Sequence, residues 1–179
     1  WGNPYWILFN DEQSERRNRF LGFTKIDFQL TNWLSAFARV GADITNIDFS
    51  KIYKPGHHFF SGGRMDVRNT NYGELNSDFL ITAKENISDK LSFVLNAGGS
   101  MSKRTAESWR VEGSDFKIPT KYFINNLNNI LPTTVVPQSI KKVNSLYGSL
   151  NLAYDNFLYV DVSARNDWSS TLSDENRSY

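Results

Sequence analysis

Residues 158–179 read LYVDVSARNDWSSTLSDENRSY, and the first half of this stretch decides the fold. Leu158, Val160, Val162 and Ala164 fall on one side of an extended strand. Tyr159, Asp161, Ser163, Arg165 and Asp167 fall on the other, because side chains alternate along a strand. The apolar side is small and smooth, while the polar side carries full charges of both signs. A strand with those two faces suits a barrel wall that has lipid outside and water inside.

Five other segments repeat the pattern, and period two holds throughout with no helical stripe. In 19–30, Phe20, Gly22, Thr24, Ile26, Phe28 and Leu30 oppose Lys25, Asp27 and Gln29. In 34–43, Leu34, Ala36, Ala38, Val40 and Ala42 oppose Ser35, Arg39 and Asp43. In 73–83, Leu75, Phe79 and Ile81 oppose Glu74, Asn76 and Asp78, and in 91–101 Leu91, Phe93, Leu95, Ala97 and Met101 oppose Ser92, Asn96 and Ser100. In 147–154, Leu150, Leu152 and Tyr154 oppose Ser149 and Asn151.

The resulting expectation is an all-β chain: six strands in three hairpins, forming part of an antiparallel transmembrane barrel wall. Short connections at 31–33, 84–90 and 155–157 alternate with long ones at 44–72 and 102–140, which read as structureless. Outer-membrane barrels have this asymmetry, with short periplasmic turns and long outer loops. Keeping the apolar sets on one face requires Leu30 opposite Leu34 and Tyr154 opposite Leu158. Trp33 and Phe157 then lie at the periplasmic rim, in an aromatic girdle. Ten steps from Phe20 to Leu30 span roughly 33 Å, or about 25 Å vertically at a 40° tilt, the height of an outer-membrane apolar band. Six strands do not close a large plugged barrel of about 22 strands, so the chain reads as a piece of something longer.

Composition narrows the alternatives. The absence of cysteine removes thiolate metal, redox and nucleophile schemes. A net charge of +1 with dispersed basic residues gives no case for nucleic acid. There is no apolar run of about 18 residues, hence no membrane helix, and no signal peptide. Aromatics at 15% favour strands and membrane interfaces.

The stretch LYVDVSARNDWSSTL, with the final N.SY, closely resembles the barrel signature of the SusC/RagA-type TonB-dependent outer-membrane transporters of Bacteroidetes. Asn3-Pro4-Tyr5-Trp6, the run Arg16–Gly22 (RRNRFLG) and Lys142–Gly148 (KVNSLYG) are similar to other barrel segments of that family. The similarity is in order along nearly the whole chain, departing at Ser173, where the family usually has a proline. The resemblance implies a multi-pass protein of a Gram-negative outer membrane that imports nutrient oligomers, glycans or peptides. It also implies a plug domain driven through TonB and a SusD-like surface lipoprotein over the outer loops. On that reading residues 1–179 lie within one barrel domain, and the plug and TonB box are outside this chain. The alternatives are a soluble or surface β-domain that binds carbohydrate, and a non-transport outer-membrane barrel that serves as a scaffold.

Candidate chemistry is sparse. Lys25, Asp27, Arg39, Asp43, Asp161, Arg165 and Asp167 share the lumen-facing parity. Nothing isolates two of the carboxylates in an apolar pocket, so they read as a wall ladder, Asp27 with Arg39 for example, and not as a catalytic pair. Arg165–Trp168 reads as an architectural rim. His57 and His58 stand in a loop without a matched acidic pattern, which reads as solvated residues or, beside Phe59 and Phe60, as contacts to a ligand or partner. Trp109, Phe116, Tyr122 and Phe123, with asparagines nearby, can either stack on a sugar or fold the second loop onto itself. Gly98-Gly99 reads as a bend or bulge in the wall. No enzyme activity and no cofactor are expected.

Overall fold

The computed structural model describes residues 2–155 and 157–173. A short helix, α1 (Pro4–Asn10), precedes β1 (Asp11–Gln29), β2 (Leu34–Tyr53), β3 (Arg64–Ser88) and β4 (Leu91–Phe116). A single 3-10 turn (Ile124–Asn126) leads to β5 (Leu127–Ile130), then β6 (Thr134–Tyr154) and β7 (Leu158–Ser169). The sheet runs β1-β2-β3-β4-β6-β7, with β5 pairing β4 off that path. Each long strand therefore lies beside its sequence neighbours, as the three hairpins require.

The tight turns have the registers that the apolar pattern demands. The Leu30 N–H donates to the Leu34 carbonyl at 3.0 Å, and Tyr154 faces Leu158. Between β6 and β7 the two faces separate over most of the pairing, with Asn166 opposite Leu146 as an exception on the apolar side. Leu150 faces Val162, Leu152 faces Val160 and Gly148 faces Ala164 in one column, while Ser149 faces Ser163, Asn151 faces Asp161 and Tyr147 faces Arg165 in the other. Trp33 and Phe157 both stay exposed at their turns, Phe157 edge-on to Tyr154. The Trp33 carbonyl accepts from the Lys84 N–H at 2.8 Å, and the Lys90 carbonyl from the Asp155 N–H at 2.7 Å.

Two expectations are corrected. The connections at 44–72 and 102–140 are mostly strand, because β2 continues to Tyr53, β3 starts at Arg64, β4 reaches Phe116 and β6 starts at Thr134. Their apolar alternation fades because neither face there needs to be uniformly apolar. The backbone ladder persists without it, aided by cross-strand polar pairs such as Asn46–Asn71 at 2.7 Å. The second correction is α1. Seven residues are too few to show a stripe, and the signal was local: the Asn3 side chain accepts from the Tyr5 and Trp6 N–H groups, with Pro4 opening the helix.

The chain divides into two compact units, residues 1–19, 44–72 and 106–139 in one and 20–43, 73–105 and 140–179 in the other. The first has a small core in which Leu127, Phe116 and Met65 are buried against Ile52, Val67, Tyr122 and Ile124. The second is a sheet whose large apolar side chains stay open: Phe20, Ile26, Phe79, Leu146 and Val162 are all more than two-fifths exposed. Outward exposure of this many large apolar groups is stable only against a nonaqueous surrounding or further protein.

Candidate functional site: a charged wall and an aromatic-lined unit

The polar face of the second unit is an array of engaged charges. On β1, Lys25 and Asp27 pair with each other at 2.6 Å. Arg39 does not turn to Asp27; it makes a two-pronged contact with Asp78 on β3, at 2.9 and 3.2 Å. Sequence spacing gave no means of preferring Asp78, because that choice depends on which strand lies on the other side of β2. Arg104 grips Glu74, which also accepts from Asn76. Asp161 accepts from Asn151 across the β6–β7 pair at 2.6 Å, and Arg165 holds Asp167 while donating to the Ser145 hydroxyl. Asp43, on the same parity, is also engaged. Thr82, Asn96 and Ser149 form a hydrogen-bonded row through β3, β4 and β6.

Tyr147 is a wall residue that the reading of charges missed, although its parity and its place in the SLYG run pointed to this face. Its ring reaches from β6 across β4 at Gly98, where an added Cβ would meet the ring at 2.9 Å and the Phe79 carbonyl at 2.5 Å. The Arg165 guanidinium lies 5.9 Å from the same ring. Gly98 thus serves as the floor under a tyrosine. On the opposite side of β4, a Cβ at Gly99 would crowd the Phe79 ring and the Leu146 side chain. The two glycines admit side chains over β4 on both faces, where the sequence suggested a bend.

In the first unit, His57 is buried and His58 is exposed, so the solvated-loop reading fits only the second histidine. Tyr53, Phe60 and Trp6 enclose the His57 ring with centroids 5.1, 5.3 and 5.6 Å away. Its Nδ1 accepts from the Phe59 N–H at 3.1 Å, and Nε2 faces the Asp11 carboxylate at 3.8 Å. Packing a ring among aromatics this way closes the loop on itself, which no spacing rule reveals. Phe116 and Tyr122 meet edge-on at 5.3 Å inside the unit's core. Trp109 and Phe123 remain exposed.

A second charged group lies in this unit. Arg110 holds Asp66 through two bonds of 2.9 and 2.6 Å and also reaches Glu112, which Arg64 contacts from β3. Hydrogen bonding and charge from Arg110 keep the Asp66 carboxyl below the usual carboxylate range. Arg16 and Asn69 do the same for Asp48. None of these carboxylates is paired with another in an apolar pocket. Among the described residues, no group of three or more His, Cys, Asp or Glu could hold a metal ion. The arrangement presents fixed, mutually neutralised polar groups, suited to lining an aqueous space.

A twisted antiparallel sheet with one charged face and one open apolar face is a wall segment of an outer-membrane-type β-barrel. No family model matches the chain. It is 28% identical over 185 residues to a TonB-dependent receptor, P26, of Formosa agariphila, a match that takes in 99% of this chain and 18% of that protein. The structure of the RagAB peptide transporter matches with a TM-score of 0.85 at 20% identity, over 98% of this chain and 20% of that one. The RagAB peptide importer in its closed-closed state matches with a TM-score of 0.88 at 19% identity, over 94% of this chain and 19% of that one. The chain thus spans about a fifth of the length of the proteins it matches. These likenesses agree with the SusC/RagA resemblance, and the proteins concerned are a receptor and a transporter, not enzymes.

Proposed function

We propose that this chain is part of the barrel of a TonB-dependent outer-membrane transporter of the SusC/RagA type, with residues 1–179 inside one barrel domain. The complete protein imports nutrient oligomers, peptides or glycans, through a plugged barrel energised by TonB. A SusD-like lipoprotein covers its outer end. The observation that carries this reading is the β6–β7 register, which puts Gly148–Ala164, Leu150–Val162, Leu152–Val160 and Tyr154–Leu158 in one column and Ser145–Asp167, Tyr147–Arg165, Ser149–Ser163 and Asn151–Asp161 in the other. A soluble sandwich has no use for a wide apolar face left open, and a transporter wall needs both faces at once. Exposed Trp109, Phe123 and His58 are the contacts this reading assigns to substrate or lipoprotein, while Lys25, Asp27, Arg39, Asp43, Asp161, Arg165 and Asp167 line the lumen. The other three residues first considered as contacts, His57, Phe116 and Tyr122, serve to shape the unit that carries them.

The test is the intact mass of the native protein, extracted from outer membrane in mild detergent with its bound partners identified. A chain several times longer than this one, co-purifying with a surface lipoprotein, supports the proposal. A lone soluble species of 20.6 kDa refutes it.

A further inference from the structure

The apolar face of the second unit ends in a feature that a plain lipid-facing wall does not need. Contacts between β4 and β6 set their register: Gly99 lies against Leu146, Gly98 under Tyr147, and Asn96 donates to Ser149 at 3.1 Å. Four residues along both strands from Gly99 and Leu146, away from the tight turns, Lys103 comes opposite Lys142. Both share the parity of Leu146 and therefore belong to the apolar side. Lys142 is exposed and Lys103 half-buried. Among the described residues, neither ammonium has a carboxylate within ion-pair distance. Like charges directly across a strand pair repel, so this pair is costly unless an anion joins it.

The surroundings specify the anion. One row nearer the turns, Trp168 faces Asn144 on the same side and is 36% exposed. Trp168 lies ten residues from Leu158, about 25 Å vertically at a barrel strand's tilt, and so falls at headgroup level where tryptophan concentrates. Beneath the lysines, the wall is indented by an apolar groove of about 430 Å³ lined by Val40, Ser77, Phe79, Gly99, Met101 and Leu146. The groove exists because Ser77 contributes little bulk beside Val40 and Met101, and Gly99 brings no side chain between Phe79 and Leu146. An unbalanced cation pair at headgroup height, above an apolar trough, matches an amphiphile with a phosphate at its head and an acyl chain below.

We infer that Lys103 and Lys142 bind the phosphate of an outer-leaflet lipid whose acyl chain lies in the groove beside Ser77 and Gly99. This inference rests on the membrane-barrel reading above. The occupant is a phosphorylated glycolipid of the outer leaflet, held by two charge-assisted contacts and by apolar burial. It is distinct from the transported substrate, which belongs to the opposite face.

The experiment uses the full-length protein in detergent, stripped of lipid and then titrated with phosphorylated lipopolysaccharide or its enzymatically dephosphorylated form, with retained lipid counted by native mass spectrometry. Lys103→Gln/Lys142→Gln should weaken binding of the phosphorylated lipid about twenty-five-fold, two ammonium groups at roughly fivefold each. Ser77→Phe, which fills the groove and keeps both charges, should weaken it as well. The dephosphorylated lipid should bind wild type and double variant alike, and millimolar inorganic phosphate should not compete. Undiminished binding by the lysine variant, or saturation by inorganic phosphate alone, overturns the inference while leaving the barrel reading intact. Recovery of the native protein only from soluble fractions overturns both. Heat-modifiable mobility on gels, unchanged by the substitutions, shows that the variants are folded.

Discussion

Replacing Val162 by arginine puts a charge in the middle of the proposed lipid face, and its neighbour Ser163 supplies the control. Val162 faces Leu150 in the apolar column and is 59% exposed, whereas Ser163 faces Ser149 in the polar column. Four steps from Leu158 place Val162 about 13 Å along the strand, or about 10 Å vertically at a 40° tilt, close to the middle of an apolar band roughly 25 Å tall. An arginine at that depth costs about 2–4 kcal/mol, whereas near either edge of the band the cost falls to about 0–1 kcal/mol. Val162→Arg should therefore lower the stability of the inserted full-length protein by about 2–4 kcal/mol, and Leu158→Arg by about 1 kcal/mol or less. Ser163→Arg, one residue away but facing water, should stay within about 0.5 kcal/mol of wild type. Urea titration of the protein in lipid vesicles, followed by tryptophan emission and heat-modifiable mobility, reads all three. Equal losses at 162 and 163, or a larger loss at 163, would refute the assignment of the faces.

Gly98→Val should cost about 1–3 kcal/mol in the same titration, since the new side chain meets the Phe79 carbonyl and the Tyr147 ring; combining it with Tyr147→Ala should recover only part, because the carbonyl contact remains. Leu127→Ala, at 1% exposure in the core of the first unit, should cost about 2–5 kcal/mol, read as faster amide exchange in β4 and β5. Because Arg110 depresses the Asp66 carboxyl, the stabilisation from this pair should be complete above about pH 4 and vanish as pH falls through the lower folded-state value. Amide protection around Arg64 and Arg110 should accordingly drop at acid pH in wild type, and Asp66→Asn should flatten that part of the profile; an unchanged acid slope in the variant would disprove the role given to Asp66.

The amino-acid sequence by itself determined which side of each strand is apolar, the two odd-length turns and the exposed places of Trp33 and Phe157 in them. These properties are local: alternation needs only the pleat, and a turn register needs only the residues on either side of it. The tertiary structure alone decided that Arg39 meets Asp78 and not Asp27, since a charged side chain selects its partner from whichever strand is brought alongside. It also decided that Tyr147 lies over Gly98 and that His57 is enclosed by Trp6, Tyr53 and Phe60, contacts between residues from 3 to 51 positions apart. Past Asp43 and Met101 the strands go on without the apolar alternation that marks their first halves. There backbone pairing, and not a lipid-facing side, keeps the chain extended, and a hydrogen-bonded ladder leaves no periodic trace in side-chain chemistry.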